Sequence, residues 1–232
     1  MSRLEPIVAA SLKTQVAQNI RRAIFCGRIG LGEPLREMHL ARELRVSQPT
    51  IREALMELER EGLVKRTPNV GTAVTNLSTS EFRDRLEIRK TLEQMAAVRA
   101  ARAMTPEQFT ELERLLDEIS RQSKANSYYE SAHADLEFHR YIWHCSGSEV
   151  LETTLVQISA PVFAFASLLR SAGLHDLKRV MNSHAAIVQA LRNGRARDIE
   201  KAVLAHFENS YDAFLNSGAE DCRAYAQPEP RP

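Results

Sequence analysis

The sequence predicts a mainly α protein in two unequal parts: three short helices closed by a β-hairpin, then a bundle of six longer helices. Three observations carry that expectation. Apolar residues recur at helical spacing through most of the 232 residues. A single β-rich run flanks the turn cluster Pro68-Asn69-Val70-Gly71, and after Ser78 helix-start signals recur with no alternating pattern between them.

From Val8 to Gly27, Leu12, Val16, Ile20, Ala23 and Ile24 fall on one helical face, and Gly27 can close the helix. Gly30, Gly32 and Pro34 predict a loop, and Leu40, Ala41 and Leu44 a short second helix. After the turn Arg45-Val46-Ser47, a third helix carries Ile51, Ala54, Leu55 and Leu58 on one stripe, with Ser47 as N-cap, Pro49 in the first turn and Gly62 as stop. Leu63–Thr67 and Thr72–Val74 then form the hairpin. Three helices and a hairpin in that order describe a winged helix-turn-helix. Beyond it, Ser78-x-x-Glu81 and Thr105-x-x-Gln108 read as capping boxes. Six helices are expected at roughly 80–103, 105–124, 127–145, 149–171, 174–193 and 195–216, followed by a flexible tail over 218–232 that lacks apolar period.

Charge separates the same two parts. Residues 1–76 hold 12 Lys/Arg against 8 Asp/Glu, the remainder 19 against 22. The basic excess therefore sits in the first third and suits a polyanion partner. No run approaches the roughly 18 consecutive apolar residues of a membrane span, so no membrane is expected as a partner. The start MSRLEPIVAASLKTQV lacks an apolar block leading to a cleavage site, and Cys26, Cys145 and Cys222 make no disulfide framework. A reducing, cytoplasmic setting is expected.

On the third helix Gln48, Thr50 and Arg52 lie off the apolar stripe, in the turns that a recognition helix offers to the major groove. Ser47 and Thr50 can donate to phosphate or a base edge, Gln48 can pair with adenine, and Arg52 with phosphate or guanine. Asn69 and Gly71 in the wing turn can approach the DNA backbone or minor groove. The alternative is a plain cap at Ser47, an Arg52 paired with Glu53 or Glu57, and an Asn69 that only shapes a turn.

Leu35/Glu37, Leu40/Ala41, Val46/Ser47, Arg52/Glu53/Ala54/Leu55 and Gly71 make residues 9–76 resemble the DNA-binding domain of the GntR family of bacterial transcriptional regulators. Gln48 stands where many members have arginine, and Arg45 where glycine is common. The resemblance implies a palindromic double-stranded DNA operator, and the two departures mean that its sequence cannot be borrowed from relatives.

In the second part, His139 follows Asp135 by one helical turn, so both side chains share a face. His184 sits in the apolar stripe Val180, Ile187, Val188, Leu191, and His206 among Ile199, Ala202 and Val203, so both should point inward. His39, His133, His144 and His175 read as surface or loop residues. Three inward histidines and a carboxylate could converge on one divalent cation, zinc first, with nickel, manganese or iron also suited; packed core histidines are the alternative.

Arg89-x-x-Leu92-Glu93, Asp135-x-x-Phe138-His139, His184-x-x-Ile187 and Ala202-x-x-x-His206 make residues 80–217 similar to the FCD ligand-binding domain of the FadR-type subfamily, in its VanR-like group. A serine at 148 stands where relatives often carry asparagine. The resemblance implies that Asp135, His139, His184 and His206 hold a metal, that Arg89 binds the carboxylate of a small organic acid effector, and that the chain is a homodimer. Arg89 also suits an intrahelical pair with Glu93 or an exposed surface.

The function expected is a ligand-responsive regulator, a repressor by preference. The competing classes are a metal-dependent hydrolase or lyase, for which no phosphate loop, nucleophile elbow or HExxH motif is present, and a helical adaptor whose histidines merely pack.

Overall fold

A computed structural model describes residues 11–125, 128–171 and 177–215. The expected tail 218–232 and the outermost residues of the 9–76 and 80–217 stretches lie outside these, as do His175 and Cys222. Helix α1 (Leu12–Phe25) is capped by Ser11, whose Oγ accepts from the Thr14 N–H, and buries Val16, Ala17, Ile20 and Ile24. Helices α2 (Glu37–Leu44) and α3 (Gln48–Arg60) follow, and α3 buries the expected stripe Ile51, Ala54, Leu55 and Leu58. Between them Arg45 adopts φ 54°, the left-handed conformation that ends α2.

The wing has three strands, not two. Strands β1 (Pro34–Leu35), β2 (Val64–Thr67) and β3 (Gly71–Val74) form an antiparallel sheet ordered β1-β3-β2. Pro34 faces Ala73 and Leu35 faces Thr72, so the segment expected as loop supplies an edge strand. Two residues show no alternation, and a proline is tolerated only because an edge leaves one side of the strand unpaired. At the other edge Thr67 pairs with Gly71, and Asn69 turns the chain with φ 62°.

Helices α4 (Thr79–Ala103), α5 (Pro106–Lys124), α6 (Tyr128–Cys145), α7 (Glu149–Ser171), α8 (Leu177–Asn193) and α9 (Ala196–Leu215) make up the second part. Both capping boxes form: Ser78 with Glu81 opens α4, and Thr105 with Gln108 opens α5. Helix α7 is long and apolar enough over Glu149–Leu168 to cross a membrane, but 61% of that window is buried. Val162 through Leu168 are buried one after another, because α7 is enclosed by α1, α4 and α6.

The two parts share a core. Val16, Ile20, Ile24 and Phe25 of α1 belong to the same buried cluster as Tyr129, Ala132 and Leu136 of α6 and Leu155 and Phe163 of α7. Polar ties cross the same boundary: Arg22 pairs with Glu130 at 2.8 Å and lies over the Tyr129 ring.

One contact is unusually close. Pro161 inside α7 has no N–H to give, so the Gln157 carbonyl one turn back loses its helical partner. Arg85 of α4 reaches across to donate from Nη1 to Ile158 O at 3.1 Å and Gln157 O at 3.4 Å. Gly62, at φ 76°, lies on the same carbonyl, where a Cβ would stand 2.3 Å from Gln157 O. Glycine therefore does more than stop α3, because no side chain fits between the wing's root and α7.

Candidate nucleic-acid face and metal centre

Ser47 accepts from the Thr50 N–H at 3.3 Å and shares a 2.7 Å hydrogen bond with the Thr50 hydroxyl, so it acts as the expected cap. Gln48 and Arg52 are exposed on the first two turns of α3, and Asn69 and Gly71 are exposed in the wing turn. Arg52, Asn69 and Gly71 border one groove together with Arg66. The partner of Arg52 is neither Glu53 nor Glu57 but Glu37, at 3.0 Å. Glu37 also takes Gln48 and Arg66. No sequence spacing relates Glu37 to Arg52 or Arg66; only the fold of α2 against α3 and β2 does.

In the helical part, Asp135 and His139 of α6, His184 of α8 and His206 of α9 meet in the interior, all buried. The three imidazoles each offer a nitrogen within 4.8 Å of the others. Each is oriented from behind. His184 Nδ1 donates to the Val180 carbonyl at 2.9 Å, since a carbonyl only accepts. The Ser183 hydroxyl gives its proton to the same carbonyl at 2.6 Å, so its oxygen accepts from His206 Nδ1 at 2.9 Å. Glu93 of α4 accepts from His139 Nδ1 at 3.0 Å.

With Nδ1 engaged in each ring, Nε2 is the nitrogen turned toward the cluster. His184 Nε2 lies 2.8 Å from Asp135 Oδ1, and His139 Nε2 lies 3.5 Å from that same oxygen. His139 Nε2 is buried without a hydrogen-bond partner. Burial, reinforced by His184 and His139, holds His206 well below the usual histidine range, so its ring is neutral. Inward ring nitrogens and a carboxylate facing one point favour a positive charge there. A proton can serve one pair at a time, whereas a divalent cation serves all of them, so the residues present fit a metal.

Arg89 is fully buried. Its Nε and Nη2 donate to Glu93 Oε1 at 3.0 and 2.6 Å, and Nη1 donates to the Tyr211 hydroxyl at 3.1 Å. Phe163 and Phe207 rings lie 4.7 and 5.0 Å from its guanidinium carbon. Of the arrangements open from sequence, the intrahelical pair is the one that forms, and it forms in the interior. Burial pushes the Glu93 carboxyl up, but Arg89 and His139 more than offset this and hold it below the usual range. Glu93 thus joins Arg89 to His139 through one carboxylate. The sequence offers Glu93 only as the i, i+4 partner of Arg89, and it does not single out Ser183 or Tyr211.

Of the other histidines, His39 and His144 are exposed as expected, whereas His133 is half-buried and stacks on Tyr129. Ser148 accepts from the Leu151 N–H at the start of α7, a purely local role.

Residues 12–74 match the family described as bacterial regulatory proteins, gntR family, and residues 84–209 match the FCD domain. The Nta operon transcriptional regulator of Aminobacter aminovorans is 30% identical over 79% of this chain and 85% of its own. The probable D-xylose utilization operon transcriptional repressor of Paenarthrobacter nicotinovorans is 28% identical over 86% and 87%. Among solved structures, Escherichia coli McbR/YncC aligns with a TM-score of 0.74 at 20% identity, covering 89% of this chain and 99% of that one, a likeness of fold.

Proposed function

Because the chain belongs to the GntR family and carries its FCD domain, we propose that this DNA-binding transcriptional regulator, which is not an enzyme, is a repressor whose helical part binds a divalent metal and a small organic acid. Two copies present their α3 helices to a palindromic operator, and binding in the helical part changes how the helices are spaced. The repressor sense is supported by the relative that carries that description. The cytoplasm is the setting such a regulator requires.

The observation that carries the reading is the convergence of His139, His184, His206 and Asp135, each imidazole held by its Nδ1. A metal bound there supplies a Lewis acid for an oxygen of the acid. Arg89 is the second anchor, since its planar fork matches a carboxylate. An incoming carboxylate reaches Arg89 by replacing Glu93, which keeps His139 as its other partner. A ligand shifts the regulator only if it binds its two states unequally, and exchange at Arg89 gives it a contact that depends on where Glu93 lies.

The test is thermal unfolding of the full chain against a panel of small organic acids, metal-loaded and chelator-stripped. An acid at about 100 times its Kd stabilises the fold by roughly 2.7 kcal/mol. The expected result is a shift with metal present and none after stripping. Equal shifts in both forms would remove the metal from effector binding. No shift with any acid, together with no stoichiometric metal, would reduce the helical part to a dimerisation module.

A further inference from the structure

Glu37 opens α2, and its carboxylate is the point where three elements of the nucleic-acid face meet. Oε2 accepts from Gln48 Nε2 and from Arg52 Nη2, both at 3.0 Å, and Oε1 accepts from Arg66 Nη2 at 3.2 Å. Arg52 Nε adds a longer contact at 3.3 Å. Glu37 is 20% exposed, whereas Arg52 and Arg66 are 54% and 38% exposed. The Arg52 hydrogen bond, working against partial burial, holds the Glu37 carboxyl below its usual range, so it is ionised at neutral pH.

An ionised carboxylate only accepts, so the Gln48 amide must turn its NH2 toward Glu37. That leaves Gln48 Oε1 and its second N–H for a base edge, the acceptor and donor that adenine N6–H and N7 call for. Arg52 meets Glu37 through Nε and Nη2, which leaves Nη1 for guanine or a phosphate. Arg66 ties strand β2 of the wing to the same group. Braced in this way, α3 and the wing present their donors in one register, with one negative charge among them.

We propose that Glu37 is a specificity-determining positioning residue of the operator-reading face. The proposal rests on the DNA-binding reading above and adds how that face rejects unrelated sequence. On random DNA, Arg52 and Arg66 commit fully to phosphates only by leaving Glu37, whose charge repels the backbone. On the operator, Gln48 and Arg52 meet base edges while still braced from behind. Glu37 therefore weakens non-specific binding more than specific binding.

The experiment uses full-length protein, a duplex enriched by the wild type from a random-sequence pool, and an unrelated duplex, each titrated at several salt concentrations. Glu37→Gln keeps the shape and removes the charge. It should bind the unrelated duplex about tenfold tighter at low salt, with the slope of log K against log salt steeper by roughly 0.9, the mark of one more phosphate contact. Affinity for the enriched duplex should stay level or fall, so the specificity ratio drops about tenfold. Glu37→Asp keeps the charge but shortens the reach, and should lower the ratio without steepening the slope. Unchanged unfolding midpoints exclude a loss of fold as the cause. A ratio that stays at the wild-type value in both variants overturns the proposal. Failure of the wild type to enrich any sequence would instead overturn the DNA reading itself.

Discussion

Ser183 is not one of the ligand candidates, yet it decides which nitrogen of His206 faces them. Its hydroxyl passes a hydrogen bond from His206 Nδ1 on to the Val180 carbonyl, which leaves Nε2 of His206 as the lone pair. Ser183→Ala should therefore lower metal affinity by about 10–100-fold, the usual effect of removing a group that orients a ligating imidazole. Competition against a chromophoric chelator measures it, and wild-type affinity would show that the ring needs no such partner. Replacing both His184 and His206 by alanine should abolish stoichiometric metal in elemental analysis. Arg52→Ala should weaken operator binding without altering the unfolding midpoint, because the side chain is exposed. At this scale the ligand candidates were legible, since inward histidines interrupt apolar stripes. Their supports were not: Ser183 is an ordinary helical serine in sequence, and Glu93 looks like one half of a surface i, i+4 pair until the fold buries it.

Among the elements, those with local signals were readable. The capping boxes at Ser78 and Thr105 place their helix starts within a residue or two, because both hydrogen bonds lie within four residues of chain. Strand β1 had no such signal, because its two residues become a strand only when β3 arrives beside them. The turn ending α2 holds a different lesson. Arg45 there adopts φ 54°, a conformation that costs a side chain about 1–2 kcal/mol. Arg45→Gly should relieve that strain and give back part of it as added backbone freedom in the unfolded chain, for a net gain of about 0.5–1 kcal/mol. Denaturant titration would detect this as a higher midpoint at unchanged slope. An unchanged or lower midpoint would mean that the Arg45 side chain makes up for its backbone.

At the scale of the whole molecule, Gly62 and α7 decide how closely the two parts approach. Gly62→Ala combines a left-handed backbone with a Cβ placed 2.3 Å from Gln157 O, a carbonyl that cannot retreat without moving α7. The expected cost is about 2–4 kcal/mol, from backbone strain and overpacking together. Hydrogen exchange should show the loss at the α1–α6–α7 boundary first, and uniform destabilisation would argue against a local wedge. The sequence announces Gly62 only as a helix stop, since its neighbour Gln157 is distant in the chain. The core that runs from α1 into α6 and α7 also bears on how such a chain can be recombined. Residues 75–78 look like a natural splice site, but a reader cut there would carry Val16, Ile20 and Ile24 without Tyr129, Ala132 and Leu136 to cover them. A viable hybrid would have to bring these α6 residues along or find their equals in the new host, so the DNA-binding part and the helical part are physically a matched pair.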